Sequence, residues 1–311
     1  RMMNAEEKLQ YEAEMYALGV AAAGTLPGYT APYGSAERAF LLEHAHDWEE
    51  LILKDGIVQN NVVDFFGGTE QMDYFFSVGH NRNTGIIDQL DGYERLNTRL
   101  NVNFDVNNWL NIGVQAGYAR STSDEPRDRN NTQNPFRGYF DYNPYEPEFM
   151  LDENGVPMRD ENGDLIYNET HSGFPIRPAL LTDVQQYTDH ITLGSMTTTI
   201  KFTDRLSYAF NLAINHKRFQ EEYYVKPGGV LDVILALGGL KRDRTYDITD
   251  ITYSNRLNYN ISNDNHNLDL MGLFEYNTNT YYNVSVSHNG FPTPLLSTQT
   301  TGSTLYDGTT N

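Results

Sequence analysis

Aromatic side chains alternate with amides and charges in the segment 134–149, a pattern that could bind a ligand. The aromatic candidates are Phe136, Tyr139, Phe140, Tyr142 and Tyr145. Rings of this kind can stack on sugar rings or on peptide backbones, while neighbouring polar groups offer hydrogen bonds. The alternative is that the rings only pack a long loop together. We favour packing, and we keep the five residues as candidate ligand contacts.

The spacing of two histidines gives weak evidence for a metal site. His44 and His46 are two residues apart. On a strand both imidazoles would project from one face, as a metal ion requires. The surrounding segment, however, has the pattern of a loop or helix, and no third ligand is evident. The sequence therefore predicts no metal site.

Catalytic motifs are missing from the sequence. It contains no glycine-lysine phosphate loop, no nucleophile elbow and no zinc-protease helix motif. The acidic pairs Glu49-Glu50 and Glu221-Glu222 are adjacent in sequence. On a strand the two carboxylates of such a pair lie on opposite faces and cannot share acid–base work. We expect no catalytic residues, no cofactor and no enzymatic activity.

A short repeat lies near the middle of the chain. Asp152-Glu153-Asn154-Gly155 recurs as Asp160-Glu161-Asn162-Gly163. Asn-Gly is the strongest short signal for a type I′ hairpin turn. A calcium loop is the alternative, but Leu165 stands where the EF-hand spacing requires glycine. The repeat therefore predicts two hairpin turns.

The composition excludes several classes of protein. A formal net charge of −20 argues against nucleic acid as a partner, since phosphates need a basic surface. Cysteine is absent from the sequence, so disulfides and thiolate chemistry play no part. No apolar run is long enough for a membrane helix, and the N-terminal residues lack the apolar core of a signal peptide. We expect a processed chain or a piece of a longer one.

The sequence predicts strands with one apolar and one polar face as the framework that positions the candidate residues. Between Leu96 and Val106, alternate residues are apolar or threonine. The residues between them are polar: Asn97, Arg99, Asn101, Asn103 and Asp105. Successive side chains of a strand point to opposite faces, so this segment predicts a strand that is apolar on one side and polar on the other. A second such strand runs from Leu110 to Tyr118.

The alignment of apolar residues indicates that these two strands form a hairpin. A three-residue loop would bring apolar residues opposite one another along the whole hairpin. The predicted pairs are Val106 with Leu110, Phe104 with Ile112 and Val102 with Val114. Each strand is about ten residues long, a length that crosses a bilayer core when the strand is tilted.

The same alternation recurs in about eight strands. Turns of three or four residues join them at one end, and long connections join them at the other, at about residues 81–92, 121–187 and 220–245. The last connection contains the apolar run 230–240, which predicts a short helix. Tight turns at one end and long loops at the other are typical of outer-membrane barrels. We therefore expect an all-β fold, an antiparallel transmembrane β-barrel segment with long extracellular loops.

Three regions follow from this pattern. Residues 1–56 should form an extracellular loop with a short helix that leads into the barrel. Residues 57–288 should form the barrel wall, with its long loops at about 121–187 and 220–245. Residues 289–311 should begin a further extracellular loop.

Several motifs between Asp47 and Ile87 occur together. They are Asp47-Trp48, Gln59, Gly67-Gly68, Tyr74, Ser77 and Gly85-Ile86. This stretch resembles the SusC/RagA family of TonB-linked outer-membrane transporters, and the Gly-Gly turn is its most specific motif. The polar alternation that begins at Tyr93 and the hairpin at residues 254–276 also resemble that family.

The resemblance implies a barrel of about 22 strands, plugged by an N-terminal domain, that imports glycan or peptide fragments across the outer membrane of a Gram-negative bacterium. It implies a SusD-like surface lipoprotein as a lid. It also implies the TonB complex, which acts through a plug that is not present in this chain. This chain would be an internal segment of the barrel wall, in contact with outer-membrane lipid. The lumen- or plug-facing candidates would be Asn97, Arg99, Asn101, Asn103 and Asp105.

Two alternatives remain open. One is a complete small outer-membrane barrel of about eight strands, with a structural role or a role as an adhesin. The other is a soluble glycan-binding β-protein, whose apolar faces would need a second layer to cover them.

Overall fold

The computed structural model describes residues 2–19, 33–126, 134–168, 175–262 and 264–310. Within them nine strands form one antiparallel sheet, in which every strand pairs with its neighbours in sequence order. The strands are β1 (Val58–Gly68), β2 (Met72–Asn83), β3 (Tyr93–Asn107), β4 (Leu110–Asp124), β5 (Val184–Lys201), β6 (Leu206–Val225), β7 (Leu240–Ser262), β8 (Asn267–Asn289) and β9 (Thr304–Thr310). The fold is all-β and antiparallel, as predicted, and is consistent with a β-barrel segment. It has one strand more than the sequence indicated.

Helices occupy the connections at one end of the sheet. The described residues contain α1 (Ala5–Ala17), α2 (Ser35–Glu43), α3 (Trp48–Ile52), α4 (Pro135–Asp141), α5 (Ile176–Thr182) and α6 (Val230–Leu235). The last of these confirms the short helix predicted in the apolar run 230–240. The N-terminal region contains three helices where the sequence predicted one. Among the described helices, none has the length and apolar character that crossing a membrane would require.

The sheet has a turn end and a loop end. At the turn end the strands are joined by residues 69–71, 108–109, 202–205 and 263–266. At the loop end they are joined by residues 84–92, 125–183, 226–239 and 290–303. The loop expected at 220–245 is therefore shorter than predicted, because β6 and β7 stay paired as far as Val225 and Leu240.

The region 289–311 also differs from the expected loop. It contains β9, which pairs with β8. The sequence Thr304–Thr310 lacks the alternation of apolar and polar residues that would predict a strand. Backbone pairing with the long strand β8 is what places this polar segment in the sheet.

Alternate side chains divide the sheet into two faces. The apolar face carries residues such as Phe76, Leu100 and Ala116, which lie opposite one another on β2, β3 and β4. The polar face carries their sequence neighbours, such as Arg99 and Gln115. Leu100 is 37% exposed, and many other large side chains of the apolar face are equally open. Within the described residues no second layer covers this face.

The buried apolar core lies at the loop end. One cluster, here called the rim cluster, consists of Trp48, Ile52, Tyr142, Ala179, Val225 and Leu231. Among the described residues, the buried apolar side chains all belong to loop-end helices, loops and strand ends. The loops are thus held by their own hydrophobic core, while the middle of the sheet has none.

The hairpin of β3 and β4 has the predicted register except at its tip. Phe104 lies opposite Ile112 and Val102 opposite Val114, which confirms two predicted pairs. The third was wrong, because Asn107 lies opposite Leu110 and the register shifts between Asp105 and Asn107. The Asn107 carboxamide oxygen accepts hydrogen bonds from the backbone N–H groups of Trp109 and Leu110 at 3.0 and 2.9 Å. This side chain closes a tighter turn than the apolar pattern suggests.

The repeated Asp-Glu-Asn-Gly segments form two hairpin turns, as predicted, with strand-like bridges on either side of each. Asp152 Oδ1 accepts hydrogen bonds from the N–H groups of Asn154 and Val156, both at 2.9 Å. The turn type differs from type I′, which needs positive φ at both central residues. Here Gly155 has φ of +79°, but Asn154 does not have a positive φ. The glycine instead supplies the left-handed residue that follows a type I turn.

Two motifs of the family resemblance have structural roles. Asp47 caps α3, since its Oδ1 accepts a hydrogen bond from Glu49 N at 2.9 Å. Trp48 lies in the rim cluster. A Cβ atom on Gly67 would lie 2.8 Å from the Tyr74 hydroxyl, and one on Gly68 would lie 2.7 Å from the Met72 carbonyl oxygen. The Gly-Gly pair therefore permits a close approach of β1 and β2 that a side chain would obstruct.

Candidate functional site

The polar face contains a trough over strands β3 to β7, with a volume of about 460 Å³. Its floor carries small side chains, which include Gly117, Ala119, Ser195 and Ala213. Because these side chains are small, the trough has room for a ligand or a packed protein segment. Arginines on β3 line one side and Asp250 on β7 lines the other, so the two sides carry opposite charges.

All five lumen-facing candidates of β3 lie on the polar face. Asn97, Arg99 and Asn101 line the trough. The other two, Asn103 and Asp105, lie nearer the turn end, where both accept hydrogen bonds from Asn111 Nδ2, at 3.1 and 2.8 Å. The alternation of the sequence therefore placed the five on one face. It did not indicate that they separate into a trough group and a hydrogen-bonded group.

An apolar side chain interrupts the polar face at the trough. Leu193 is 51% exposed and lines the trough together with Ile191. Its partners across the sheet are Gly117 on β4 and Asn215 on β6. An open leucine among small and polar residues is a contact point for an apolar group that enters the trough.

Nearer the loop end, the polar face carries a row of neighbouring aromatic rings that the sequence did not indicate; the central pair is stacked and the outer pairs are tilted. This aromatic row consists of Tyr187, Phe219, Tyr246 and Tyr281, with successive ring centroids 5.5, 4.7 and 6.1 Å apart. The residues belong to four neighbouring strands, so only the sheet register brings them together. A concavity of about 660 Å³ is lined by Tyr187, Phe219 and Tyr246 and by charged residues such as Glu221 and Arg242.

The aromatic row offers flat apolar surfaces beside groups of both charges. Arg242 Nη2 donates a hydrogen bond of 2.9 Å to Glu221, and the Arg242 guanidinium lies 4.9 Å from the ring centre of Tyr223. Lys217 forms an ion pair of 3.0 Å with Asp189, and its Nζ atom lies 5.9 Å from the ring centre of Tyr246. Such a surface can stack against a sugar or a peptide bond and can also hydrogen-bond its polar groups.

The five aromatic candidates of residues 134–149 separate into exposed and buried side chains. Phe140 is 63% exposed and Phe136 is also open. Tyr139 donates a hydrogen bond of 2.8 Å to Glu49, and burial together with this carboxylate raises the pKa of Tyr139 to about 12. Tyr142 and Tyr145 are only 5% and 3% exposed. These two rings pack the loops together, so they offer a ligand almost no surface.

Tyr145 joins α1 to the other helices and loops at the loop end of the sheet, which together we call the loop layer. Its ring packs in a cluster with Ala5 and Leu9 of α1. Its hydroxyl donates one hydrogen bond that is shared between the two oxygens of the buried Glu12 carboxylate, at 3.2 and 3.1 Å. Burial raises the pKa of Glu12 above its ordinary value, and Lys8, at 3.3 Å, offsets only part of this shift.

The raised pKa of Glu12 predicts that α1 is held most tightly in acid. This contribution to stability is complete below the ordinary glutamate pKa, near 4.3, and is lost as the pH rises through the higher pKa of the folded state. In Glu12→Gln the side chain is neutral at every pH, so amide exchange of α1 should no longer accelerate as pH rises, after correction for the intrinsic exchange rate. Glu14→Gln, an exposed change on the same helix, should retain the pH dependence of the parent. Equal pH profiles in parent and Glu12→Gln would contradict this role.

Within the described residues, His44 and His46 have no further potential metal ligands grouped with them. The described residues contain no group of three potential ligands of the histidine, cysteine, aspartate or glutamate types. The His44 ring instead lies against Phe40, with its Nδ1 atom 2.9 Å from the Phe40 carbonyl oxygen.

Comparisons with known proteins identify the fold. Neither a family model nor a curated protein matches this chain. A solved structure of the RagAB peptide transporter matches it with a TM-score of 0.73 and 18% sequence identity, over 100% of this chain and 36% of that chain. The RagAB peptide importer in its closed-closed and open-open states matches with TM-scores of 0.70 and 0.69, at the same identity and coverage. The chain therefore has the fold of about a third of those longer chains.

Proposed function

We propose that this chain forms part of the wall and mouth of a TonB-dependent outer-membrane transporter of the SusC/RagA type, which imports peptide or glycan fragments. The observation that carries the proposal is the two-faced sheet. Its apolar face stays open, with Leu100 at 37% and Leu257 at 47% exposure, while its other face carries polar side chains and a trough. Hydrocarbon against the first face and water against the second would satisfy both.

The loop end fits the mouth of such a transporter. Loops with their own buried core can hold a fixed shape above the membrane and present a docking surface for a SusD-like lipoprotein. The polar face would then line the lumen, with Asn97, Arg99, Asn101, Asn103 and Asp105 turned toward the lumen or the plug. The plug and its contact with the TonB complex would belong to other parts of the protein. The function is transport, without an enzymatic step.

Two observations support a choice of cargo class. The aromatic row and its neighbouring charges could bind either peptides or sugars. The similar solved structures are peptide transporters, and we therefore favour oligopeptides over oligosaccharides.

The two alternatives have less support. A closed small barrel would require the first and last strands to pair, but within the described residues β1 pairs with β2 alone and β9 with β8 alone. A soluble glycan-binding protein would require a layer over the apolar face, and the described part of the chain supplies none.

Uptake by intact cells tests the proposed function. A strain that lacks this protein should lose uptake of labelled oligopeptides or, in the alternative, of labelled oligosaccharides, and a plasmid copy should restore it. Removal of TonB from the parent strain should abolish the same uptake. Unchanged uptake of both cargo classes in the deletion strain, or uptake that does not need TonB, would contradict the proposal.

A further inference from the structure

Basic side chains recur at one level on the apolar face. Arg82 comes ten residues after Met72, the first residue of β2, and Arg120 comes ten residues after Leu110, the first residue of β4. His190 precedes the last residue of β5 by eleven positions, and Arg218 follows the first residue of β6 by twelve. We call Arg82, Arg120, His190 and Arg218 the basic belt.

The sheet register shows that the belt continues the apolar face. Arg120 lies opposite Leu96 on β3 and His190 on β5, and His190 lies opposite Arg218 on β6. Nearer the turn end on the same strands, the same face carries apolar or aromatic residues such as Phe76, Tyr118 and Ile214. The face therefore changes abruptly from apolar to charged, and the carboxylates of Glu94 and Asp247 lie opposite Arg82 and Arg218 at the same level.

The level of the belt coincides with the expected edge of the hydrocarbon. A tilted strand crosses the bilayer core in about 9–11 residues. If the turn end lies at the periplasmic surface, side chains ten to twelve residues further on emerge among the headgroups of the outer leaflet. The inference thus rests on the proposed placement in the outer membrane.

Two arginines of the basic belt form no ion pair within the described residues. Arg218 is already paired, since it donates hydrogen bonds of 2.7 and 3.2 Å to Asp247. Arg82 and Arg120 are exposed, and in the part of the chain that the structure describes neither guanidinium has a hydrogen-bond or ion-pair partner. The one carboxylate between them, Glu94, lies opposite Arg82 across the sheet and is bonded to His80 at 2.7 Å, so its charge acts on both arginines without forming an ion pair with either.

At this level the described part of the apolar face carries three arginines and two carboxylates, whereas the whole chain has a net charge of −20. Arg82 and Arg120 stand two strands apart, about 10–12 Å between backbones, with Glu94 and the apolar side chain of Leu96 on β3 between them. Long arginine side chains can converge across this gap on an anionic headgroup, and Leu96 can contact the acyl chain below it.

We propose that Arg82 and Arg120 bind the phosphate groups of a phosphorylated glycolipid in the outer leaflet. Guanidinium groups match phosphate oxygens in geometry and charge. The lipid is thereby held at a fixed place on the wall, directly beneath the loops of the mouth.

Lipid retention tests the proposal. The purified protein is inserted into phosphatidylcholine vesicles that contain a minor fraction of lipid A, either phosphorylated or dephosphorylated. It is then extracted in mild detergent, and the bound lipid is counted by native mass spectrometry. The parent should retain the phosphorylated lipid at least about tenfold better than the dephosphorylated one, as expected for two charge-assisted contacts. The double variant Arg82→Gln/Arg120→Gln should lose this preference.

A matched double variant controls for loss of charge. Arg205→Gln/Arg256→Gln also removes two exposed arginines, Arg205 from the turn before β6 and Arg256 from the polar face of β7. It should retain the lipid as the parent does. Equal retention in both double variants would overturn the proposal, as would a parent that binds both lipids equally.

The same experiment separates this proposal from the proposed function. A parent that inserts into the vesicles but shows no phosphate preference overturns the lipid site alone. A parent that fails to insert into any vesicle overturns the membrane placement, and the lipid site with it.

Discussion

Replacing Leu100 by arginine is expected to destabilise the folded protein by about 2–4 kcal/mol, the cost of a charge that faces lipid near the midplane. Leu100 lies on the apolar face of β3, opposite Phe76 and Ala116, seven residues before the strand ends at Asn107. It is therefore near the middle of the proposed crossing. Denaturant titration of the protein in bilayers or micelles measures the change in the free energy of unfolding.

Asn101→Arg is the matched control, because it introduces the same side chain at the next position of the same strand. Asn101 lies on the polar face, where it accepts a hydrogen bond of 3.3 Å from Arg99 Nε. A new arginine there meets water and polar groups, so its effect should stay within about 0.5 kcal/mol. Equal destabilisation by the two variants would contradict the assignment of the faces.

Trp48→Ala is expected to open the loop layer without unfolding the sheet. Trp48 is 6% exposed, its ring centre lies 4.5 Å from that of Tyr142, and its Nε1–H donates a hydrogen bond of 3.1 Å to the Asn143 carbonyl. Truncating a buried tryptophan costs about 3–5 kcal/mol. Because the rim cluster joins loop segments, amide exchange in α3 and in residues 142–146 should accelerate by about a hundredfold or more.

The second tryptophan provides the control for this change. Trp109 is 52% exposed and lies in the turn between β3 and β4, far along the sheet from the rim cluster. Trp109→Ala should leave exchange in the loop layer at the rate of the parent. If Trp48→Ala gave unchanged exchange, or accelerated exchange equally in the middle of β3 and β4, the loops would not have an independent core.

Strand alternation made much of the sheet predictable. The two-residue period assigns Leu100 and Asn101 to opposite faces of the sheet even before the neighbouring strands are known. It also predicted that Phe104 lies opposite Ile112. The tip of that hairpin was not predictable from apolar residues, because the side chain of Asn107 decides the turn through two hydrogen bonds. The polar segment of β9 was missed for a related reason, since its place depends on pairing with β8.

The sites depend on contacts that sequence spacing does not reveal. Tyr142, Tyr145 and Phe140 have similar neighbours in sequence, yet only Phe140 is open. The difference arises from partners about a hundred residues away, Trp48 for Tyr142 and Glu12 for Tyr145. The aromatic row and the basic belt likewise become visible only when the register aligns residues of different strands.

A cysteine scan of β3 tests the central claim most directly, and the absence of native cysteine makes it simple. Single cysteines from Leu96 to Phe104 would carry a spin label, and the accessibility of each label to oxygen in the lipid and to a water-soluble nickel chelate would be measured. The even-numbered positions, on the apolar face, should be reached by oxygen, and the odd-numbered positions from Asn97 to Asn103 by the chelate, in strict alternation. Labels on the apolar face that are reached by the chelate, or that neither reagent reaches because protein covers them, would contradict a wall with lipid on one side and water on the other.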